Sequence, residues 1–303
     1  MTFSRPSAGT LAVLGVGVCA LIWGTTWYGI TLQLGTVDPT ASIVWRFGLA
    51  ALVMFGVCAS LRLPLRLTRS QHLAALGQGV FAFSISYSFT YAAEGRVASA
   101  VVAVVFASLT FQNLVLFRVK EGQRASPAAW GAALLGIAGV AVLSGSEILS
   151  GGLDRTAALG IGLALIATLA SALGNYFAWR GQQRGSQALP STAWAMAYGT
   201  GLLALYGLAT GVEFTIEPTV RYIGSLIYLA VFGSVIAFGI YFSIARSIGY
   251  AMASYVSALT PPIAMLVSVM VEGARFGWAA AFGLVLVLAG QVLLIRAPKP
   301  KTA

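Results

Sequence analysis

Apolar runs of about twenty residues, almost free of charge, follow one another along the whole chain, separated by short gaps that hold nearly all of its charged residues. A bilayer hydrocarbon core about 30 Å thick is crossed by about 20 helical residues. Inside it every backbone donor and acceptor must be satisfied within the segment, which a helix does alone. Only 9% of the 303 residues are charged and 58% are hydrophobic, whereas a soluble domain carries roughly a quarter of its residues charged. A water-soluble fold has no interior large enough for that apolar load.

Applying the bilayer length gives expected spans at 11–34, 40–61, 72–93, 97–118, 127–145, 157–179, 190–211, 221–245, 250–271 and 276–296. Glu94, Gly95 and Arg96 are the only polar break between the third and fourth spans. Without a turn there the run would exceed about 45 residues, more than twice what one crossing needs.

Charge tests this segmentation independently. With the N-terminus on one side, that side also receives Arg62, Arg66, Arg69, Arg118, Lys120, Arg124, Arg180, Arg184, Arg246, Arg296, Lys299 and Lys301 besides Arg5, with Glu121 as its only acid. The other side holds Arg96, Arg155, Arg221 and Arg275 with Asp38, Glu94, Glu147, Asp154, Glu213, Glu217 and Glu272. Basic residues are retained on the cytoplasmic face, so both termini are expected in the cytoplasm. The expected fold is an all-α polytopic membrane protein of ten transmembrane helices, with the lipid bilayer as its partner.

The same count disposes of other readings. The net charge of +10 suits topology and anionic lipid rather than nucleic acid, since it is dispersed through short inter-span gaps. Cys19 and Cys58 both fall inside apolar runs and His72 is the only histidine, which leaves no material for a disulfide framework, a metal site or a histidine relay. No GxxxxGK[ST] phosphate loop is present, against direct ATP drive. Neither a cofactor, a metal nor an enzymatic activity is expected. The first run is read as a retained helix, because Trp23, Gly24, Thr25, Thr26, Trp27 and Tyr28 interrupt it where a cleaved signal would be simple.

The two halves rhyme at an offset of about 150 residues. Tyr91 pairs with Tyr241, Leu109-Thr110 with Leu259-Thr260, Glu121-Gly122 with Glu272-Gly273, and Ala138-Gly139 with Ala289-Gly290. Residues 11–145 and 157–296 are therefore read as two repeats. Five helices per repeat is an odd number, so the second enters the membrane in the opposite sense. Inverted repeats let one bundle open alternately to either side of a central site.

Trp23-Gly24-Thr25-Thr26-Trp27 in the first span, Asp38-Pro39 leading into Trp45-Arg46-Phe47 in the second, and the Pro261-containing ninth span, set in two five-helix halves, resemble the EamA type of the drug/metabolite transporter superfamily over nearly the whole chain. Within that group the chain is most similar to the bacterial amino-acid exporters of the YddG kind. The resemblance implies a central cavity built from both halves. It leaves the substrate open, since related bundles handle amino acids, other metabolites and nucleotide sugars.

Polar groups at helical spacing mark the expected pathway. They are Trp23, Thr26 and Trp27 in the first span; Arg46 in the second; Ser84, Tyr87 and Tyr91 in the third; Ser108 and Gln112 in the fourth; Ser171 and Asn175 in the sixth; Tyr241 in the eighth; and Tyr255 in the ninth. Arg46 is the costliest, at about 2.5–3.5 kcal/mol near bilayer centre on insertion scales. It has two readings, a brace at a helix end or a fixed charge facing the cavity. Pro261 and Pro262 are candidate hinges, because proline removes a backbone donor. The expected function is an inner-membrane exporter of small metabolites, amino acids including aromatic ones, working by alternating access. The competing readings are a carrier of another metabolite, nucleotide sugar or drug, and a channel.

Overall fold

The computed structural model of the protein describes residues 8–150, 155–253 and 256–296, and every element in them is helical. Among the described residues five helices are long and apolar enough, by length and composition, to cross a membrane: Leu14–Thr31, Pro39–Ser60, Ser99–Glu121, Arg155–Gln183 and Val220–Ile248. Large apolar side chains such as Leu52, Leu205, Leu208 and Met270 stand exposed on the outside, where lipid tolerates them and water does not. The chain is an all-α polytopic membrane protein.

We label the helices α1 (Ala8–Thr31), α2 (Pro39–Ser60), α3 (69–94), α4 (Ser99–Glu121), α5 (Pro127–Ser150), α6 (Arg155–Gln183), α7 (Ala188–Thr210), α8 (Val220–Ile248), α9 (256–272) and α10 (Trp278–Arg296). A single helical turn, Tyr250–Ala253, lies between α8 and α9.

Their ends follow from local chemistry. Asp38 caps α2, its carboxylate accepting from the Thr40 amide at 2.7 Å, with Pro39 at the first helical position. A capping box opens α3: Thr68 Oγ1 accepts from the Gln71 amide at 3.4 Å, and Gln71 Oε1 accepts from the Thr68 amide at 2.9 Å. α3 stops at Glu94, the chain turns through Gly95 and Arg96, and α4 begins at Ser99. The repeated Glu-Gly pairs both terminate helices. Gly122 after α4 and Gly273 after α9 adopt φ of 66° and 69°, a left-handed conformation that glycine enters without a Cβ clash.

Three helices depart from regular α geometry. A π-turn spans Gly79–Ile85 in α3 and another Val231–Ile236 in α8. Each inserts extra residues into the helical register and rotates the next turns of the helix about its axis. Pro261 and Pro262, by contrast, sit inside a helical stretch that runs unbroken over Val256–Val267, and the irregular turn of α9 comes later, at Ser268–Glu272.

Packing exchanges partners between the halves. α5 lies along α10 in the most extensive pairing, and α2 along α7; α1 rests on α8 and α9, while α6 rests on α3 and α4. Small residues set the closest approaches. A Cβ added at Gly139 would lie 2.4 Å from the Gly283 carbonyl oxygen, and one at Gly283 2.7 Å from the Gly139 oxygen. α3 and α7 meet the same way at Gly79 and Gly199. Such contact lets dispersion hold helices together where lipid supplies no hydrophobic drive.

Gly139→Ala should therefore force α5 and α10 apart, costing about 1–3 kcal/mol by overpacking. Gly131→Ala, on the same helix but with nothing within 4 Å of its Cβ position, should melt at or above the wild-type temperature. Thermal denaturation of both variants in detergent makes the comparison, and equal midpoints would count against the α5–α10 contact.

Candidate functional site

Where α1, α2, α3, α4, α6, α8 and α9 converge there is a cleft of about 740 Å³, its open mouth included. α1 supplies Trp23, Thr26, Trp27 and Ile30, residues three and four apart that share one helical face. α2 supplies Arg46, α3 Ala82, Ser86, Tyr87 and Thr90, α4 Phe106 and Leu109, and α6 Ser171 and Asn175. Phe238, Tyr241 and Phe242 come from α8, and Ser257 and Thr260 from α9.

The aromatic wall is built by edge-on and tilted ring contacts. Trp23 lies 5.0 Å from the Phe238 ring and 5.3 Å from that of Tyr241, and Trp27 lies 4.8 Å from Phe106. Trp23 is held by its indole N–H, which donates to the Gly233 carbonyl at 3.0 Å. That carbonyl belongs to the π-turn of α8, where the widened ladder turns a backbone oxygen toward a neighbouring helix. In the same turn Ser234 Oγ donates to the Leu229 carbonyl five residues back at 2.9 Å.

Ser234 Oγ also receives the Nε of Arg46 at 3.2 Å. The guanidinium lies 4.6 Å from the centre of the Tyr87 ring and 5.0 Å from that of Phe47, and Nη2 approaches the Tyr87 hydroxyl at 3.5 Å. Arg46 is 1% exposed and its Nη1 has no hydrogen-bond partner. Among the described residues no carboxylate is in ion-pair range of it, and Arg180 and Glu121, 3.9 Å apart, form the ion pair. The site thus offers one uncompensated cation, a set of hydroxyls, one carboxamide and aromatic faces, with no acidic side chain in its lining.

The structure brings together Trp23, Thr26, Trp27, Arg46, Tyr87, Ser171, Asn175 and Tyr241. It does not bring Ser84, Tyr91, Ser108 or Gln112 into the lining. Ser84 Oγ donates to the Gly199 carbonyl at 2.8 Å, tying α3 to α7. The Tyr91 hydroxyl donates to Gln33 Oε1 at 2.6 Å. Gln112 Nε2 donates to Thr168 Oγ1 at 2.7 Å, joining α4 to α6, and to Ser108 Oγ at 3.2 Å one turn back on its own helix. Tyr255 lies outside the described residues.

Ser84 differs because the expected stripe assumed an unbroken α period. The π-turn ends at Ile85 and shifts the register, so Ser86, not Ser84, faces the cleft and bonds Ser171 Oγ at 2.7 Å. Thr90 lies four residues beyond Ser86, and sequence reasoning missed both. It also missed Phe106, Phe238, Phe242 and Ser257, which carry no signal apart from ordinary apolar or small residues. The amide that meets Asn175 is Asn113, whose Oδ1 accepts at 3.5 Å, rather than its neighbour Gln112.

A cavity with sparse polar groups, enclosed by apolar helices from both ends of the sequence, is the architecture of a membrane transport protein. The chain belongs to the EamA-like transporter family, whose sequence model matches residues 10–145 and again residues 158–296. Its function is accordingly the transport of small metabolites across a membrane, not catalysis. It is 25% identical over 291 residues to the uncharacterized inner membrane transporter YedA of Escherichia coli strain K12, covering 92% of this chain and 90% of the relative. The YedA proteins of the O6:H1 and O157:H7 strains match to the same extent. A solved crystal structure shares the fold with a TM-score of 0.70 over 93% of this chain and 95% of its own, at 18% identity.

Trp23→Phe keeps an aromatic ring but removes the N–H that the Gly233 carbonyl accepts. An unsatisfied buried carbonyl costs about 1–3 kcal/mol. The variant is expected to lose stability in that range in detergent denaturation, and an unchanged midpoint would mean that this bond does not hold α1 to α8.

Proposed function

We propose that the protein is an inner-membrane exporter of small metabolites, amino acids including aromatic ones, that works by alternating access between two inverted five-helix repeats with both termini in the cytoplasm. The observation that carries the substrate class is Arg46. A guanidinium that is buried, lacks a counter-anion and keeps one nitrogen unpartnered beside an aromatic cleft is a site for a carboxylate whose remaining part is apolar. The aromatic faces of Trp23, Trp27 and Phe238 suit that apolar part. In a zwitterion the ammonium group is received by hydroxyls such as Thr26 and Thr90 and by ring faces.

Three observations support two inverted repeats at 11–145 and 157–296. The family model matches twice. Partner exchange is reciprocal: α1 packs on α8 and α9 as α6 packs on α3 and α4. Two of the three π-turns fall at corresponding places, Gly79–Ile85 and Val231–Ile236. In this reading the cleft residues Trp23, Thr26, Trp27, Arg46, Tyr87, Ser171, Asn175 and Tyr241 form the pathway. Ser84, Tyr91, Ser108 and Gln112 brace it, while Pro261 and Pro262 bend as the bundle switches. The inner-membrane location agrees with that of the YedA relative. Another apolar anion, a nucleotide sugar among them, would satisfy the same Arg46 and rings, and competition against phenylalanine flux separates these solutes.

Initial phenylalanine flux per folded molecule in liposomes tests the role of Arg46. Arg46→Ala is expected to lose flux by at least about tenfold, the equivalent of one charge-assisted hydrogen bond of about 1.5–3 kcal/mol. Arg46→Lys, which keeps the charge but not the planar fork, should recover part of it. Equal normalised flux in all three proteins would reject the pathway role, and loss of folded protein alone would make Arg46 a brace.

Orientation is checked by cysteine labelling. A cysteine in place of Arg66 should react with an impermeant reagent only from the cytoplasmic side, and one in place of Glu213 only from the periplasmic side. The reverse pattern would overturn the topology.

A further inference from the structure

A second group of polar side chains lies where α3 ends. Glu94 falls in the break between the third and fourth apolar runs. Its side chain is 5% exposed, and neither carboxyl oxygen has a hydrogen-bond partner. An ionised carboxylate is not stable in that state, because nothing replaces the water it has given up. The neutral, protonated form is the one such a site accommodates. Burial holds the Glu94 carboxyl well above the usual carboxylate range, the charge of Glu272 adds to this, and the Arg46 guanidinium opposes it.

Glu272 ends α9 and is held in place by hydroxyls. It accepts from Ser99 Oγ at 2.8 Å and from Ser268 Oγ. A separate observation points to the same place: Gln33 is buried, its Oε1 is taken by the Tyr91 hydroxyl one turn before Glu94, and its Nε2 has no partner. Arg96, in the same turn, is exposed and donates to the Ala92 carbonyl at 2.5 Å. On the packed helices, Arg118, Lys120 and Glu121 of α4 and Arg180 of α6 sit at the opposite helix ends, Arg155 of α6 is exposed, and α1 contributes no charge here. Thr90, one turn before Glu94, lines the cleft, so the carboxyl lies one helical turn from the solute pathway.

We propose that Glu94, with Glu272 beside it, is a proton-binding site of the transport cycle. Closing this end of the bundle strips water from Glu94, so closure requires a proton on its carboxyl oxygen; opening readmits water, and the proton passes to it. One proton is bound and one released per cycle, with no other group consumed. The coupling to solute rests on the alternating-access reading above, whereas proton binding at Glu94 does not.

Infrared difference spectroscopy of the protein in liposomes, between acidic and alkaline buffers, reads the proton directly. Wild type is expected to show a protonated-carboxyl band that persists above the usual carboxylate range and disappears in Glu94→Gln. In Glu272→Gln the band should titrate at lower pH, about a tenfold weaker hold on the proton, because a neighbouring negative charge has been removed. A wild type in which no such band persists above that range overturns the site without recourse to any variant. A band that survives Glu94→Gln reassigns the proton to another group, and one that Glu272→Gln does not shift removes Glu272 from the site. Labelled phenylalanine flux with and without a pH gradient, at clamped membrane potential, reads the coupling. The gradient should change wild-type flux, and in Glu94→Gln the ratio of the two fluxes should fall to one. Wild-type flux that ignores the gradient overturns the coupling. Absence of any phenylalanine flux overturns the amino-acid reading instead, while the infrared titration still decides the proton site.

Discussion

Close backbone contact between helices, made through small residues, is what the rest of this structure depends on. In lipid the helices gain nothing by hiding apolar surface from one another, so dispersion and interhelical hydrogen bonds must supply the association. Gly139 against Gly283 and Gly79 against Gly199 bring backbones within reach of each other's carbonyls. Hydrogen bonds between distant parts of the sequence complete the work: Ser84 to the Gly199 carbonyl, Trp23 to the Gly233 carbonyl, and Ser42 to the Tyr222 hydroxyl at 2.9 Å. Each joins one half of the chain to the other. The cleft is the space left where these contacts cannot all be made, at the convergence of seven helices.

Arg46 is tolerable in that space because its cost is met locally. Insertion near the bilayer centre is opposed by about 2.5–3.5 kcal/mol, while a desolvated cation over an aromatic face gains about 2 kcal/mol or more. Two rings and the Ser234 hydroxyl are present. These terms are of similar size, so the guanidinium can remain buried without a carboxylate partner. A permanent internal carboxylate would neutralise it and compete with an anionic solute. The π-turn of α8 serves both ends of this arrangement, offering Ser234 to Arg46 and the Gly233 carbonyl to Trp23.

Much of the helical layout could be read from apolar run length and charge, because bilayer thickness and the cost of burying charge act on each segment separately. The Glu94-Gly95-Arg96 break and the paired Glu-Gly terminators illustrate this: both mark helix ends in the structure. The facing of individual side chains was less legible. Ser84 and Ser86 trade roles because a π-turn lies between the expected stripe and its true register. Asn113 rather than Gln112 meets Asn175 because α4 turns that way against α6.

The sequence by itself determined that the chain is an all-helical membrane protein and named most of the aromatic and cationic groups of the cleft, since hydrophobicity, length and charge are properties of single segments. Tertiary structure alone decided which polar groups share a cavity and which tie helices together. It also left Arg46 without a counter-ion and Glu94 buried without a partner, although the sequence had placed Glu94 among flanking loop charges. Those outcomes depend on helix rotation and on neighbours more than a hundred residues away, such as Ser234 for Arg46 and Glu272 for Glu94, and no local pattern encodes such a distance.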